Sequence, residues 1–354
     1  MVLRNRKRGL VWLAAGGLAT LVLALALSPR IYRGVARRLG FKTHYRIDPG
    51  GPVTSGGWIK AVGNPVLGGE LGTCFDAVVS KDDEKFRMWF SWRPQKSIGL
   101  VESNDGIHWS KPVIALGPDA NSGWEAEVNR PGVVLRGGVY HMWYTGQQDQ
   151  RSMIGHATSS DGVQWKRLAS TPEMVPDQAW EKVAVMCPNV LWDEGGKQYR
   201  MWYSGGDQYE PDAIGYATSS DGSKWLKNPA NPIFRADSTH GWEKHKVTAC
   251  QVVPYDGEYL MFYIGFADEH NAQIGMARSR DGVGNWRRFP DNPIVRPGND
   301  EADWDFDAVY KPSAVLDHGK WYLWFNGRND AVEQIGLATH EGADLWPKES
   351  DLSK

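Results

Sequence analysis

From about residue 75 onward, apolar and polar positions alternate in short runs separated by polar turns. That period of two is the mark of half-buried strands. The runs recur in a fixed order. A first run reads FDAVV (75–79), RPGVVL (130–135), CPNVLW (187–192), CQVVP (250–254) and KPSAVL (311–316). After a short polar turn comes a second, FRMWFSW (86–92), YHMWYTG (140–146), YRMWYSG (199–205), YLMFYIG (259–265) and WYLWFNG (321–327). A third begins IGLVES (98–103), IGHATS (154–159), IGYATS (214–219), IGMARS (274–279) and IGLATH (335–340).

Each third run leads into a further motif: SNDGIHW (103–109), SSDGVQW (159–165), SSDGSKW (219–225), SRDGVGNW (279–286) and the degenerate THEGADLW (339–346). The closing residues Trp109, Trp165, Trp225, Trp286 and Trp346 are spaced by 56, 60, 61 and 60 positions. Five copies of one period predict an array of one supersecondary unit. Asp-Gly predicts a tight hairpin with both turn residues at positive φ. A short fourth strand ending in the Trp is expected next, with the indole packed between adjacent units. The expected fold is all-β: a five-bladed β-propeller of four-stranded blades over residues 48–350. Residues 48–70, which include GNPVLGG (63–69), are expected to add a closing strand or a loop over the first blade.

Composition adds 18 Trp and 40 Gly, in keeping with β structure and regular turns. The net charge of −2 conceals a split, because residues 1–47 hold ten Lys or Arg and no Asp or Glu. The acidic remainder does not suit a nucleic-acid partner, and the basic segment suits a membrane surface. Within it, residues 10–27 form an 18-residue uncharged run, LVWLAAGGLATLVLALAL. That length predicts a transmembrane anchor, or alternatively a cleaved secretory signal with Ala24-Leu25-Ala26 as a weak processing site. The body is expected outside the cytoplasm, membrane-anchored by a single pass, or secreted if the signal is removed. It is expected to be monomeric. Three cysteines, Cys74, Cys187 and Cys250, give no disulfide framework and no C-x-x-C metal spacing, so buried free thiols are expected.

In a propeller the first strands line an axial funnel, and the segments before them meet its mouth. Trp124-Glu125, Trp180-Glu181, Trp242-Glu243 and Trp304-Asp305 repeat there, and a motif present in four units reads as architecture. Residues that differ between units are more informative: Asp76; Glu127, Asn129 and Arg130; Lys182; His245 and Lys246; Asp307, Tyr310 and Lys311. The ends of the second strands add Arg93, Asp207, Asp268 and Arg328. Charges gathered in a funnel need a ligand or one another, so an internal salt-bridge network is the competing reading.

The repeated pattern x-P-x-V, Y-x-M-W-Y-x-G, I-G-x-A-x-S-x-D-G-x-x-W, together with GNPVL before the first copy, resembles the five-bladed propeller glycosidases. These are the arabinanase, levansucrase and invertase superfamily, with the related β-mannoside phosphorylases. The resemblance spans about residues 60–346 and implies a carbohydrate-active enzyme, a glycoside hydrolase or phosphorylase working on an oligo- or polysaccharide in the funnel. It implies an Asp before the Pro-like position of the first two units and a Glu one residue earlier in the third. On the alignment of these runs those positions hold Cys74, Arg130 and Met186. The displaced carboxylates Asp76, Glu127 and Asp307 are then the catalytic candidates. Asp76 lies two residues past its expected place, on the same face if the strand is regular. Arg93, Asn129, Arg130, Asp207, His245, Lys246, Asp268, Tyr310, Lys311 and Arg328 are the candidate substrate ligands. No cofactor or metal is expected. The cluster of cations suggests an anion in the funnel, either inorganic phosphate as co-substrate or an acidic group of a cell-surface or exported glycan. A noncatalytic glycan-binding propeller and an envelope protein-interaction propeller are the alternatives.

Overall fold

The computed structural model describes residues 52–82, 85–207 and 211–346. The apolar segment 10–27, and with it the expected anchor or signal, lies outside them. So do Gln208 and Tyr209. Among the described residues no helix is long and apolar enough to cross a membrane.

The described chain is all-β. A first unit consists of β2 Cys74–Asp82, β3 Lys85–Trp92, β4 Ser97–Ser103 and β5 Val113–Leu116. The second holds β6 Glu127–Arg136, β7 Val139–Gln148, β8 Arg151–Ser159 and β9 Lys166–Arg167. Next come β10 Ala184–Asp193, β11 Gln198–Gly206, β12 Pro211–Ser219 and β13 Leu226–Lys227. A fourth has β14 Lys246–Tyr255, β15 Glu258–Phe266, β16 Ala272–Ser279 and β17 Arg287–Arg288. The last has β18 Ala308–Asp317, β19 Lys320–Asn329 and β20 Val332–Glu341, completed by β1 Ile59–Lys60 from the other end of the chain. All are antiparallel meanders. β1 pairs Ile59 with Thr339 and Lys60 with Ala338, so residues 48–70 supply a closing strand for the last unit. The Asn64 side chain, in GNPVL, brackets the backbone of Leu337 as Asn231 and Asn292 bracket Tyr216 and Met276. Each first strand packs against the next, and β18 packs against β2.

Two ladders of side chains join the units. Trp89, Trp143, Trp202 and Trp324, each fully buried, donate Nε1 to the carbonyl of Gly162, Gly222, Gly282 and Gly106 at 2.7–2.9 Å. In every case the glycine belongs to the Asp-Gly turn of the next unit. Burying one such indole stabilises the fold by about 2–3 kcal/mol before the hydrogen bond is considered. Nearer the axis, Ser91, Thr145, Ser204 and Asn326 accept the backbone N–H of Arg130, Cys187, Ala249 and Asp76 from the following unit. The fourth unit has Phe262 and Ile264 at these two places, and its junction with the fifth is hydrogen-bonded elsewhere, where the Gln251 side chain brackets the backbone of Ala314 and the Tyr255 hydroxyl accepts the N–H groups of Leu345 and Trp346.

The Asp-Gly turn differs in detail from expectation. Only the glycines, such as Gly162 at φ 75°, take positive φ. The aspartates instead bind locally: Asp161 Oδ1 accepts the N–H groups of Val163 and Gln164, and Ser159 Oγ donates to the same oxygen. This Asx-type turn satisfies the backbone without a left-handed Asp. The Trp also precedes the fourth strand rather than ending it, as Trp165 does before Lys166–Arg167. It packs across the junction as predicted: Trp165 meets Trp89 edge-on, and Trp225 meets Trp143.

The Trp-Glu motif is architectural. Trp124 lies so close to β8 that a Cβ on Gly155 would sit 2.5 Å from its ring, and Trp242 does the same at Gly275. This is why the third run of the last four units begins Ile-Gly, and in the first unit Gly99 makes the same room for Phe90. The following acid is buried and paired with a base from the fourth strand: Glu125 with Arg167 at 2.7 Å, Glu181 with Lys227 at 2.7 Å, Glu243 with Arg288, and Asp305 with Lys60 at 2.5 Å. All three cysteines are buried and free.

Candidate active site

Every first strand carries a bulge at the same level. Two residues stand opposite one where the register slips, between Phe75 and Val78, Asn129 and Gly132, Met186 and Asn189, Thr248 and Gln251, and Tyr310 and Ser313. The first residue of each bulge has positive φ: Asp76 48°, Arg130 52°, Cys187 55°, Ala249 36° and Lys311 49°. Such a device turns one side chain out of the strand's regular alternation. It also corrects the alignment of the first unit. The strand is not regular there, and Asp76, not Cys74, is the residue in register with Arg130, Cys187 and Lys311. Cys74 points into the apolar cluster of Leu67, Phe90 and Trp324's neighbours.

Asp76 opens onto a cavity of about 370 Å³ at the axis, lined also by Arg93, Arg130, Cys187, Thr248, His270, Tyr310, Arg328 and Glu333, with Phe75, Ile264 and Phe266 as apolar surfaces. The Asp76 carboxylate is buried and fully engaged. Arg130 Nε stands 2.9 Å from Oδ2, and Asn326 donates Nδ2 to Oδ1 at 3.0 Å. Arg130 is held in turn by Asn129 Oδ1 and Gln147 Oε1. Burial is the largest single influence and works against its charge, but Asp76, with Cys187, Glu333 and Glu127 adding to it, together leave the guanidinium's pKa raised.

Across the cavity, Glu333 accepts a hydrogen bond from the Tyr310 hydroxyl on Oε1 and from Arg93 Nη2 on Oε2 at 3.0 Å. Burial, with Glu333 beside it, pushes the Tyr310 hydroxyl well above its usual range, so it remains a donor. Arg93 is half exposed and lies over the Phe75 ring, 4.3 Å from its centroid. Glu333 escaped the sequence reading, which took candidates only from first strands and second-strand ends. A signal existed: two residues before each Ile-Gly the chain has Lys96, Ser152, Asp212, Ala272 and Glu333, a position that differs in every unit.

Of the thirteen candidates from sequence, Asp76, Arg93, Arg130, Tyr310 and Arg328 line this cavity. Others stand just behind it. Asn129 is buried and donates to Gln147 at 2.7 Å. Lys311 is buried beside Cys187 and Cys250, where burial raises both thiols while its charge pulls them down. Lys246 is buried with its ammonium 4.6 Å from the Phe266 ring. Five stand apart. Glu127 lines a second pocket of about 230 Å³ with Lys96, Gln147, Gln148, Asp149 and Gln150. Asp307 accepts the N–H of Asp330 at 2.6 Å. Asp268 caps its own loop through the N–H groups of His270 and Asn271. Asp207 is exposed and pairs with Lys182 at 3.2 Å. His245 is exposed. Met186, at the family's acid position in the third unit, is fully buried among Ala184, Ala249 and Ile264.

Comparison with known proteins bears on this geometry. The family described as glycosyl hydrolases family 43 matches residues 62–344. An uncharacterized protein of Mycobacterium tuberculosis (strain CDC 1551 / Oshkosh) is 31% identical over 278 residues, covering 72% of this chain and 88% of its own length. Among solved structures, a putative glycoside hydrolase from Bacteroides ovatus superposes with a TM-score of 0.64 at 18% identity, covering 84% of this chain and 98% of its own. An exo-1,5-α-L-arabinanase from a bovine ruminal metagenomic library superposes with a TM-score of 0.56 at 17% identity, over 75% of this chain and 92% of its own. At such identities the two structures speak to the fold.

Proposed function

The chain belongs to glycosyl hydrolases family 43 and is a glycosidase, and from that premise we propose that the axial cavity is where it cleaves glycosidic bonds. The five four-stranded units, the second and third of which are bridged between β8 and β10 at Ser152 and Ala184, are read as the blades of a five-bladed propeller, supported by the ring in which β18 packs back onto β2. One observation carries the site: of the three carboxylates that line the same cavity, Asp76 and Glu333 are each held by their own arginine, while Glu269 is largely exposed beside His270. Glycoside cleavage needs such a pair, one to donate a proton and one to act as base or nucleophile.

The roles follow from how each is held. Asp76 is locked between Arg130 and Asn326 in a buried setting, which suits a base or nucleophile that stays an acceptor throughout. Glu333 is tied to Arg93, a half-exposed side chain on a short turn. A bound sugar that draws Arg93 away leaves Glu333 with Tyr310 and free to take up and deliver the proton to the leaving oxygen. It thereby replaces the acid absent at Met186. Water is the acceptor in this reading, and inorganic phosphate is the alternative co-substrate. The substrate is an oligo- or polysaccharide at the cell surface or exported, bearing an anionic group, and the body works outside the cytoplasm on an N-terminal tether. The three arginines of the cavity and the basic segment 1–47 with its uncharged apolar run 10–27 support this.

The test is turnover by the full-length chain on glycosides with good and poor leaving groups, with and without phosphate. Asp76→Asn is expected to lower kcat by about a thousandfold on both. Glu333→Gln is expected to lose the poor leaving group yet keep most activity on a dinitrophenyl glycoside, which needs no proton. Equal loss on both would remove Glu333 from the acid role. Release of sugar 1-phosphate would make the reaction phosphorolysis. Sugar binding with no turnover would overturn the assignment of Asp76 and Glu333 as the cleaving pair.

A further inference from the structure

The cavity's cations are not balanced equally. Arg130 is paired with Asp76 and Arg93 with Glu333. Arg328, half-buried at the end of β19, has one hydrogen bond, Nη2 to the His270 carbonyl at 3.3 Å, and no carboxylate within ion-pair distance among the described residues. A guanidinium has five N–H donors in a planar fork, so most of this one's capacity is unused in a partly desolvated place. Thr248 of β14 lines the same cavity. It is 4% exposed, and its Oγ1 is buried with no hydrogen-bond partner. A buried hydroxyl left unpaired costs stability, and a ligand that accepts or donates a hydrogen bond there recovers it.

We propose that Arg328 and Thr248 form a subsite for the carboxylate of a uronic acid unit in the substrate. This rests on the reading of the cavity as the sugar site. The choice of carboxylate follows from charge and shape. Glu269, the cavity's third carboxylate, is largely exposed and stands 3.9 Å from His270, so Arg328 has no paired charge, and its fork matches a planar carboxylate bidentately. The Thr248 hydroxyl donates to the same group. A phosphate dianion would need a second cation, and the other two arginines of the cavity are already neutralised. Phe75, Ile264 and Phe266 offer apolar surface to the C–H faces of the ring.

The experiment is direct binding, by calorimetry or ligand-observed NMR on the full-length chain, of D-glucuronate and D-galacturonate. D-glucose and D-galactose serve as neutral counterparts and inorganic phosphate as competing anion. At least one uronate is expected to bind about tenfold tighter than its neutral counterpart. Arg328→Gln should abolish that preference and Arg328→Lys restore part of it. Thr248→Val should weaken uronate binding about fivefold while raising Tm, because it removes the unpaired hydroxyl. A merely structural Thr248 would move only Tm. Equal binding of neutral sugars, no binding of either uronate, tighter binding of phosphate, or a preference that survives Arg328→Gln would each overturn the proposal. Turnover separates this from the wider reading. Cleavage of glycosides with no preference for uronates over their neutral counterparts would sink the carboxylate subsite alone. Uronate binding without cleavage of any glycoside would sink the active-site reading alone.

Discussion

His156 shows how strongly one position can be set by what surrounds it. It is 2% exposed, stacked on Trp143 with centroids 4.4 Å apart, and its Nε2 faces His141 Nδ1 at 3.1 Å. Burial first, and His141 second, pull its pKa down to about 3, against a weaker pull upward from Asp221; Arg136 bears on His141. The folded state therefore keeps this imidazole neutral while the unfolded chain protonates near pH 6.5. Stability is full above that value and falls as the pH drops from about 6.5 toward 3, at up to about 1.4 kcal/mol per pH unit. Denaturant midpoints between pH 7.5 and 5 are expected to decline less steeply in His156→Phe than in the parent. Parallel slopes would show that the pair does not titrate this way. Asp76 teaches the same lesson for function: its worth comes from Arg130, Asn326 and a bulge rather than from its place in a hydrophobic pattern.

The element that repeats most faithfully is the junction between the second strand of one unit and the Asp-Gly turn of the next. Trp202 donates to the Gly282 carbonyl at 2.7 Å from a fully buried indole. Trp202→Phe keeps most of the apolar area and removes the donor, leaving a buried carbonyl unpaired. The expected cost is about 1–3 kcal/mol, read as a Tm drop of several degrees with the circular dichroism spectrum unchanged. A loss below about 0.5 kcal/mol would mean that water replaces the indole. The chain contains its own control. Phe262 stands where this Trp would be, and the turn it would meet is the degenerate THEGADLW. Strand, turn and Trp were all legible in the alternation of residues. The turn's mechanism was not, because Asp-Gly specifies positive φ only at its glycine, and the Asp is spent on local N–H groups. The fourth strand's start after the Trp was equally hidden, since two-residue strands carry no period.

At the scale of the whole molecule the ring is shut by β1, two residues drawn from the far end of the chain. Its Lys60 meets Asp305, which is 2% exposed and whose pKa burial raises while Lys60 opposes. Lys60→Met strands that carboxylate, and the expected loss is about 3–5 kcal/mol. Adding Asp305→Leu should recover most of it, because a buried pair replaced by apolar groups is often neutral. If Lys60→Met alone costs under 1 kcal/mol, closure rests on the strand's backbone bonds and not on this pair.

The sequence by itself determined the repeat, the order of strands within each unit, the junction tryptophans and the Trp-Glu motif. These are local patterns copied five or four times, so comparing copies averages out noise. It also pointed to Asp76, Arg93, Arg130, Tyr310 and Arg328 as residues that packing alone does not explain. Only the tertiary structure decided which charges meet. Glu333 and Arg93 are 240 positions apart, and Asp76 and Asn326 are 250 apart. Bringing them together depends on closing a ring, which no local pattern encodes. The bulge that aligns Asp76 with Arg130 hinges on a backbone angle near 50° at residues that are not glycine. That angle belongs to the bulge that recurs in all five first strands, so the period-two rule that found the strands failed at the one place where each strand turns a side chain toward the axis.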